Sequence, residues 1–362
     1  MDYFSLICRQ VEGILRARVG MNTRVKTRLR VKKLGELLAG KSNLLIVMQD
    51  NPDPDSIAAA VALRKLANSL AEVQCSITHG GTVGRAENRV LVRYLGLNLR
   101  HCSEIEFDKF DLVATVDTQP GTGNNCLPAN VVPGIVVDHH PFRRASHGAQ
   151  LIDIRRAYGA TSTILFEYLV EAGIELEIPL ATALLYGIRS DTQYLGRGAG
   201  LADIAAATAL FAIANMRMLG EIQRGSVQRE YFGMLTRALA NAKVYGRCII
   251  TRLGKIDNPD MIGEVADLLE RDEGAMWAMC SGFFGDKMLI SVRTSEEGKN
   301  ADEVVRQVVA RRGTGGGHQN YAGGQIPLRK GTAAEQTNLQ KLLEQKFLKV
   351  VGADSEGESK LI

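Results

Sequence analysis

The sequence contains no CxxC pair: its six cysteines, Cys8, Cys75, Cys102, Cys126, Cys248 and Cys280, are scattered along 362 residues. That spacing excludes a zinc ribbon or a thioredoxin-like motif and implies no disulfide framework, so the thiols read as reduced, in a cytoplasmic protein. Long apolar runs are missing too. The longest, such as "IAAATALFAIA" at 204–214, fall short of the roughly 18 residues that a membrane span requires. The N-terminus lacks a signal-peptide core and cleavage site. With 45% apolar and 23% charged residues the chain is otherwise ordinary, and it is long enough for two domains with separate hydrophobic cores.

The net charge of +4 is unevenly spread. Residues 1–41 hold ten Lys or Arg against three acids, which leaves the remainder at −3. Within that arm "RVKTRLRVKK" has the character of a phosphate-seeking surface for RNA, DNA or an anionic membrane, or equally of a solvated helix face leading into a domain. Upstream, Phe4, Ile7, Val11 and Ile14 recur at helical spacing, an apolar stripe that would pack on its own domain or on a partner subunit. A homodimer is one expectation for it.

From residue 44 to about 220, short branched-apolar runs alternate with longer helical stretches, the pattern of an α/β domain with a mostly parallel sheet. The strands are expected at 44–48 ("LLIVM"), 73–78, 112–116 ("LVATV") and 134–137 ("GIVV"), and helices at 56–70, 159–173, 179–188 and 201–219. Residues 223–244 read as a charged helical connection. A second, smaller α/β domain follows, with strands at "RCIITRL" and "MLISVRT", helices near 259–271 and 300–311, and the glycine-rich "GTGGGHQNYAGGQIPL". The end, 349–362, is acidic and polar and reads as a frayed tail.

Three of the first domain's strands run into acids. Asp50, Asp53 and Asp55 follow the first; Asp117 follows "LVATV"; Asp138, His139 and His140 follow "GIVV". Because the carboxyl ends of parallel strands share one edge, these residues converge in space. Each has a plainer reading. Asp53 or Asp55 alone is a candidate N-cap for the helix behind it, and Asp117 or Asp191 alone a turn or cap residue. One helix start needs only one cap, however, and carboxylates this close repel unless they take up protons or share a cation. Two adjacent imidazoles behind a carboxylate also have little packing use, whereas the lone His79, His101 and His147 read as structural or surface residues. "GATSTI" at 159–164 reads as a plain helix start, with anion binding as the alternative.

"NPDPD", "VDT", "VDHH" and "RSDT", in this order, resemble the four motifs of the DHH phosphoesterases, and "GGGH" resembles the signature of their DHH-associated C-terminal domain. The resemblance covers about residues 40–330. It divides the chain into a basic helical extension (1–40), a DHH catalytic domain (41–222), a helical linker (223–244), a DHH-associated substrate-binding domain (245–348) and the tail (349–362). It implies two divalent cations, with Mn²⁺ favoured and Mg²⁺ as the alternative. One would be held by Asp53 and Asp117, the other by Asp55, Asp117, His139 and Asp191. Carboxylates mixed with imidazole suit those ions better than zinc or copper. His140 would face the substrate phosphate, with Asp138 orienting the imidazoles. Arg293, the amides of Gly315, Gly316 and Gly317, and His318 would bind a phosphate or nucleotide terminus. Gln49 departs from the pattern, standing where the family usually carries a histidine, and an amide oxygen is a poorer ligand than imidazole. Within the family, the short two-domain architecture and "GGGH" resemble the nanoRNase group, which implies short oligoribonucleotides or linear dinucleotides as substrates, with nucleoside 3′,5′-bisphosphate as a further one. A cyclic-dinucleotide phosphodiesterase is the alternative, and a nucleotide-binding regulatory module with reduced catalysis the alternative of another class.

Overall fold

The computed structural model describes residues 21–329, 331–354 and 357–362, so the apolar stripe of Phe4, Ile7, Val11 and Ile14 lies outside the described residues. The chain forms two compact units that meet in sequence at Ser226 and Val227.

The first unit begins with helix α1 (Met21–Leu38) and strand β1 (Asn43–Val47). Helix α2 (Pro54–Ala71), β2 (Gln74–His79), α3 (Ala86–Tyr94), β3 (Arg100–His101), β4 (Leu112–Val116), β5 (Ile135–Asp138) and β6 (Leu151–Ile154) follow. Helices α4 (Thr161–Glu171), α5 (Ile178–Asp191), α6 (Leu201–Phe211) and α7 (Met216–Gln223) complete it. The expected α/β class is observed. The six strands form one parallel sheet in the order β3-β2-β1-β4-β5-β6. Strand order reverses between β1 and β4, and such a switch point opens a crevice at the carboxyl edge where ligands bind.

Alternation along β1 separates two layers. Leu44 and Ile46 join the core under the helices, while Leu45 and Val47 face Val113 and the segment containing Ile105, Phe107, Phe110, Leu127 and Val131. Each fully buried Leu, Ile or Val adds about 1.5–3 kcal/mol. The alanines of α2, with Ala58, Ala59, Ala60 and Ala62 wholly buried, let that helix lie close beneath its neighbours. Helix α1 packs through Val31, Leu34 and Leu38. Much of its positive charge is matched within the unit: Arg28 pairs with Glu171 at 2.7 Å and Arg30 with the buried Asp153 at 3.0 Å.

Two local expectations are corrected here, and one strand is added. The single helix over 201–219 is two, because Asn215 caps a new start by accepting the Met218 amide at 3.0 Å. The six cysteines are not all separate thiols: Cys102 and Cys126 form a disulfide. Sequence spacing missed it because the two come together only when β3 and the segment after β4 lie over the same end of the sheet. The strand β6 also escaped sequence reading, since "LIDI" carries a buried Asp153 whose charge is answered by Arg155 and Arg30.

The second unit holds α8 (Arg229–Ala240), β7 (Lys243–Tyr245), β8 (Cys248–Lys255), α9 (Met261–Leu269), β9 (Trp277–Phe284), β10 (Lys287–Thr294), α10 (Ala301–Val309), β11 (Thr314–Gly317), β12 (Tyr321–Pro327), α11 (Ala333–Val351) and β13 (Glu358–Lys360). Its sheet runs β11-β12-β10-β9-β8-β7-β13 and is antiparallel except for β8 beside β9. One face packs on α10 and α11, the other on α8 and α9. The acidic end is not wholly frayed: β13 pairs with β7, and Glu358 takes Lys243 at 2.6 Å and the Tyr245 hydroxyl at 2.9 Å. The glycine-rich segment forms two paired strands, β12 and the edge strand β11. Among the described residues no single helix is long and apolar enough to cross a membrane.

Candidate metal centre

The switch-point edge collects the acids of the first unit. Asp53 caps α2, its carboxylate accepting the Ser56 amide at 2.8 Å. Asp55 does not compete for that cap. Its carboxylate reaches the start of α4 and accepts the Thr161 and Ser162 amides at 2.7 and 2.8 Å. The two acids of "DPD" therefore cap two different helices, a solution that a single-helix argument could not anticipate. The start of "GATSTI" does receive an anion, and the anion is Asp55 itself.

Asp117 leaves the end of β4 with φ +57°, a left-handed conformation uncommon outside glycine that aspartate and asparagine tolerate best, and its amide donates to Val137 at 3.0 Å. Such strain recurs at functional sites. The Thr161 hydroxyl donates to Asp117 Oδ1 at 3.0 Å and the Gln49 amide to Oδ2 at 3.2 Å. Gln49 thus offers its NH₂ end to the acids, where an imidazole would offer a lone pair.

His139 Nδ1 lies 3.2 Å from the Tyr158 carbonyl. A carbonyl only accepts, so Nδ1 carries the proton and Nε2 faces the acids. Nε2 stands 3.3 Å from Asp191 Oδ2 and 3.5 Å from Asp117 Oδ1. An acceptor nitrogen among acceptor oxygens is unfavourable unless a proton or a cation lies between. Ligand atoms around a six-coordinate ion with bonds of about 2.1 Å are roughly 3 Å apart, close to these separations. Asp55, Asp117, His139 and Asp191 each present one ligand atom, all within 4.8 Å of one another, and the donor set suits a hard divalent ion. Asp53 stays outside that convergence; its partners are Ser56 and Gln49.

The electrostatics agree. Burial, reinforced by Asp191, pushes Asp53 up to about 6 and Asp55 up to about 7. Burial and the neighbouring Asp53, Asp55 and Asp191 hold Asp117 well above the usual carboxylate range. Burial opposes a charge on His139, but the hydrogen bond and charge of Asp191, with the charges of Asp55 and Asp138, together outweigh it and raise the ring to about 10. Negative charge is thus packed into little solvent, the condition under which carboxylates take up protons or share a cation.

Asp138 has another job. Burial works against its charge, yet the His140 hydrogen bond and the His139 and His140 charges bring it down to about 2. Its Oδ1 accepts the His139 and His140 amides at 2.8 and 3.1 Å and His140 Nδ1 at 2.8 Å. Its Oδ2 accepts Gln119 Nε2 at 2.6 Å. The buried Gln119 is itself saturated, donating to the Pro141 carbonyl at 3.2 Å and accepting the Arg143 amide at 2.7 Å and the Ser146 hydroxyl at 3.1 Å. Sequence reasoning passed over Gln119, Thr161 and the Tyr158 carbonyl. The only signal for Gln119 was its place two residues after Asp117.

In the second unit Gly315, Gly316 and Gly317 lie in β11 opposite Gly324, Gly323 and Ala322. A side chain at Gly317 would stand 2.4 Å from the Tyr321 carbonyl, so that position needs glycine. The His318 amide donates to the Tyr321 carbonyl at 2.7 Å and its ring lies 4.6 Å from the Tyr321 ring. Arg293, assigned to phosphate from the sequence, is turned inward. It is buried, donating to Asp267, to the Ser291 hydroxyl at 2.7 Å and to the Val292 carbonyl at 3.1 Å, with its guanidinium 5.6 Å from the Tyr321 ring centre.

A parallel sheet whose switch point gathers carboxylates and an imidazole, in a chain with a separate mixed-sheet second unit, defines a two-domain phosphoesterase architecture. Residues 43–188 match the N-terminal domain of the DHH family and residues 245–349 match the DHHA1 domain, so the chain belongs to the DHH family of phosphoesterases. An uncharacterized protein of Methanocaldococcus jannaschii is 34% identical over 322 residues, which are 87% of this chain and 66% of that one. An exopolyphosphatase-related protein from Bacteroides fragilis has the same fold, with TM-score 0.68 at 14% identity, covering 89% of this chain and 98% of the other. RecJ from Thermus thermophilus, solved with Mn²⁺, shares it at TM-score 0.51 and 18% identity, covering 89% of this chain and 55% of its own.

Proposed function

We propose that this chain is a two-cation phosphohydrolase, with Mn²⁺ preferred, that cleaves phosphoester bonds of short oligoribonucleotides and linear dinucleotides in the cytoplasm. The observation that carries the reading is the convergence of Asp55, Asp117, His139 and Asp191, with the glycine strand ending in His318 as its support in the second unit. Bound ions would lower the pKa of an attacking water and neutralise the phosphoryl oxygens. The chain's own residues have separate tasks. Asp117, with Asp55, His139 and Asp191, would hold the cations, and Asp55 carries charge into the site while anchored on α4. His140, held by Asp138, faces the phosphate. Gly315, Gly316, Gly317 and His318 would bind a phosphate or nucleotide terminus, and Arg293 backs Tyr321 on the neighbouring strand β12. Exposed lysines of the basic arm would add contacts to nucleic acid or to a partner subunit. Nucleoside 3′,5′-bisphosphates and cyclic dinucleotides fall within the same chemistry.

One observation favours a second reading, a nucleotide-binding regulatory module. Gln49 presents an amide NH₂ to Asp117 and Asp53, which leaves the first ion position short of a ligand. A substrate panel with Mn²⁺ separates the readings: a 5′-phosphorylated dinucleotide, a longer RNA, a nucleoside bisphosphate, cyclic dinucleotides and pyrophosphate, each with wild type and Asp117→Ala. Dinucleotide turnover lost in Asp117→Ala is the expected result. No turnover of any phosphoester would sink the enzyme reading, and a preference for long RNA or pyrophosphate would sink the short-substrate assignment.

A further inference from the structure

The strongest backbone anomaly of the described residues lies just beyond Asp191. Gln193, Tyr194 and Leu195 have φ of 45°, 61° and 68°, three consecutive side-chain-bearing residues in the left-handed region. Single residues visit that region occasionally; a run of three requires a surround that fixes it. The surround is present. Thr192, fully buried, donates to the Ile188 carbonyl and accepts the Leu195 amide at 3.1 Å, while the Tyr194 amide returns to the Arg189 carbonyl at 2.7 Å. The Arg197 amide closes the turn on the Thr192 carbonyl at 3.0 Å.

Two of the three residues have local reasons to be there. Leu195 packs on the core, and the Gln193 side chain accepts Arg197 at 3.2 Å. Tyr194 does neither. The residue is 63% exposed, and its ring is backed by Arg189, whose guanidinium sits 4.9 Å from the ring centre. A turn needing only this backbone would favour glycine, which the chain uses at 196, 198 and 200. Keeping a large aromatic in a disfavoured conformation, exposed and backed by a cation, is the arrangement of a stacking platform: every nucleobase has a π-face, and arginine adds a cation to the stack. The platform follows directly on the acids: Tyr194 is three residues beyond Asp191, which is a member of the cluster.

We infer that Tyr194, presented by the left-handed turn after Asp191 and backed by Arg189, stacks a nucleobase of the substrate next to the metal centre. This rests on the nucleotide reading above and adds to it a recognition element within the first unit. It predicts that the enzyme discriminates a base from a bare sugar at one position, with little regard for which base.

The test uses the full chain with Mn²⁺ and a 5′-phosphorylated dinucleotide carrying 2-aminopurine, joined by a methylphosphonate that resists cleavage. Tyr194→Asn is the main variant, since asparagine tolerates the left-handed region, and Tyr194→Phe retains the ring. Stacking predicts quenched fluorescence in wild type and Tyr194→Phe, and in Tyr194→Asn a lost quench with a Kd raised about tenfold or more. With the cleavable dinucleotide, KM should rise while kcat is little changed, and an analogue abasic at the stacked position should bind all three proteins alike. Unchanged Kd and quench in Tyr194→Asn, with dinucleotide turnover intact, would overturn the platform alone. An equal loss for the abasic analogue, or loss of a dimer with dinucleotide affinity unchanged, would also overturn it. Failure of the wild type to bind any dinucleotide would remove the nucleotide reading and this inference together.

Discussion

Gln119 donates to Asp138 at 2.6 Å, and through that bond the segment after β4 governs the two histidines after β5. Asp138 spends one oxygen on Gln119 and the other on the His139 and His140 amides and the His140 ring. Gln119→Leu removes the donor and strands the Arg143 amide and the Ser146 hydroxyl in the interior. The expected cost is about 1–3 kcal/mol of stability. Loss of such a supporting partner also weakens metal sites by about 10–100-fold. Urea denaturation and Mn²⁺ calorimetry measure the two effects separately. Normal metal affinity in a destabilised variant would reduce Gln119 to a packing role.

Gly187 on α5 sits against the loop of the first motif. A Cβ there would stand 2.6 Å from Ser162 Oγ and 3.0 Å from Asp55 Cα, both fully buried. Gly187→Ala therefore shifts Asp55 away from the α4 amides or α5 away from α2. A destabilisation of about 1–3 kcal/mol is expected from overpacking, together with weaker metal binding. The same change at Gly220, in α7, where nothing lies within 4 Å, is the control: it should leave metal binding unchanged and raise stability by about 0.5–1 kcal/mol through helix propensity. Equal behaviour of the two variants in thermal unfolding would contradict the close approach.

The raised carboxylates make the metal-free protein sensitive to pH in a defined direction. Asp53 and Asp55 titrate near 6 and 7 in the folded chain, pushed up by burial and then Asp191, against about 4 when unfolded. Between pH 4 and 7 the folded state binds more protons than the unfolded one, so stability falls as pH rises through that window. His139, raised to about 10 against 6.5 unfolded, keeps the same sign above neutrality. Asp138, held near 2, has the opposite sign, but its window lies below pH 4. Chelated protein should therefore melt lower at pH 8 than at pH 5.5. Adding Mn²⁺ should reverse the order, because the ion binds the deprotonated site. A Tm unchanged by chelation at pH 8 would rule out a cation in this cluster.

The distribution of what could be read from the sequence follows from how each feature is encoded. Strands β1, β4 and β5 were visible because each is a run of apolar residues ending in an acid, and the acids had nowhere to go but the shared carboxyl edge. β3, with two residues, and β6, with its buried Asp153, carry no such pattern. The residues that meet at the centre were named through the resemblance to the DHH motifs; their supports were not. Asp55 on the α4 amides and Gln119 on Asp138 join positions 106 and 19 residues apart, and no local pattern reports such pairs. Arg293 shows the converse. Its place in "SVRT" suggested phosphate, but a neighbouring helix supplies Asp267, and the arginine folds onto it.

Gln49 remains the departure with the sharpest consequence. Its Nε2 lies 3.2 Å from Asp117 Oδ2 and it also bonds Asp53, so the acids at the proposed first ion position already share a neutral donor. An ion arriving there must displace that bond and gains at best an amide oxygen. Gln49→His replaces the donor with an imidazole lone pair, the better ligand for Mn²⁺. The substitution should tighten the weaker of two calorimetric Mn²⁺ sites by about tenfold or more and leave the site of Asp55, Asp117, His139 and Asp191 unchanged. Turnover at limiting Mn²⁺ should rise with it. If Gln49→His alters neither affinity nor turnover, the first position does not take its ion through this residue, and Asp53 serves α2 as its cap rather than the reaction.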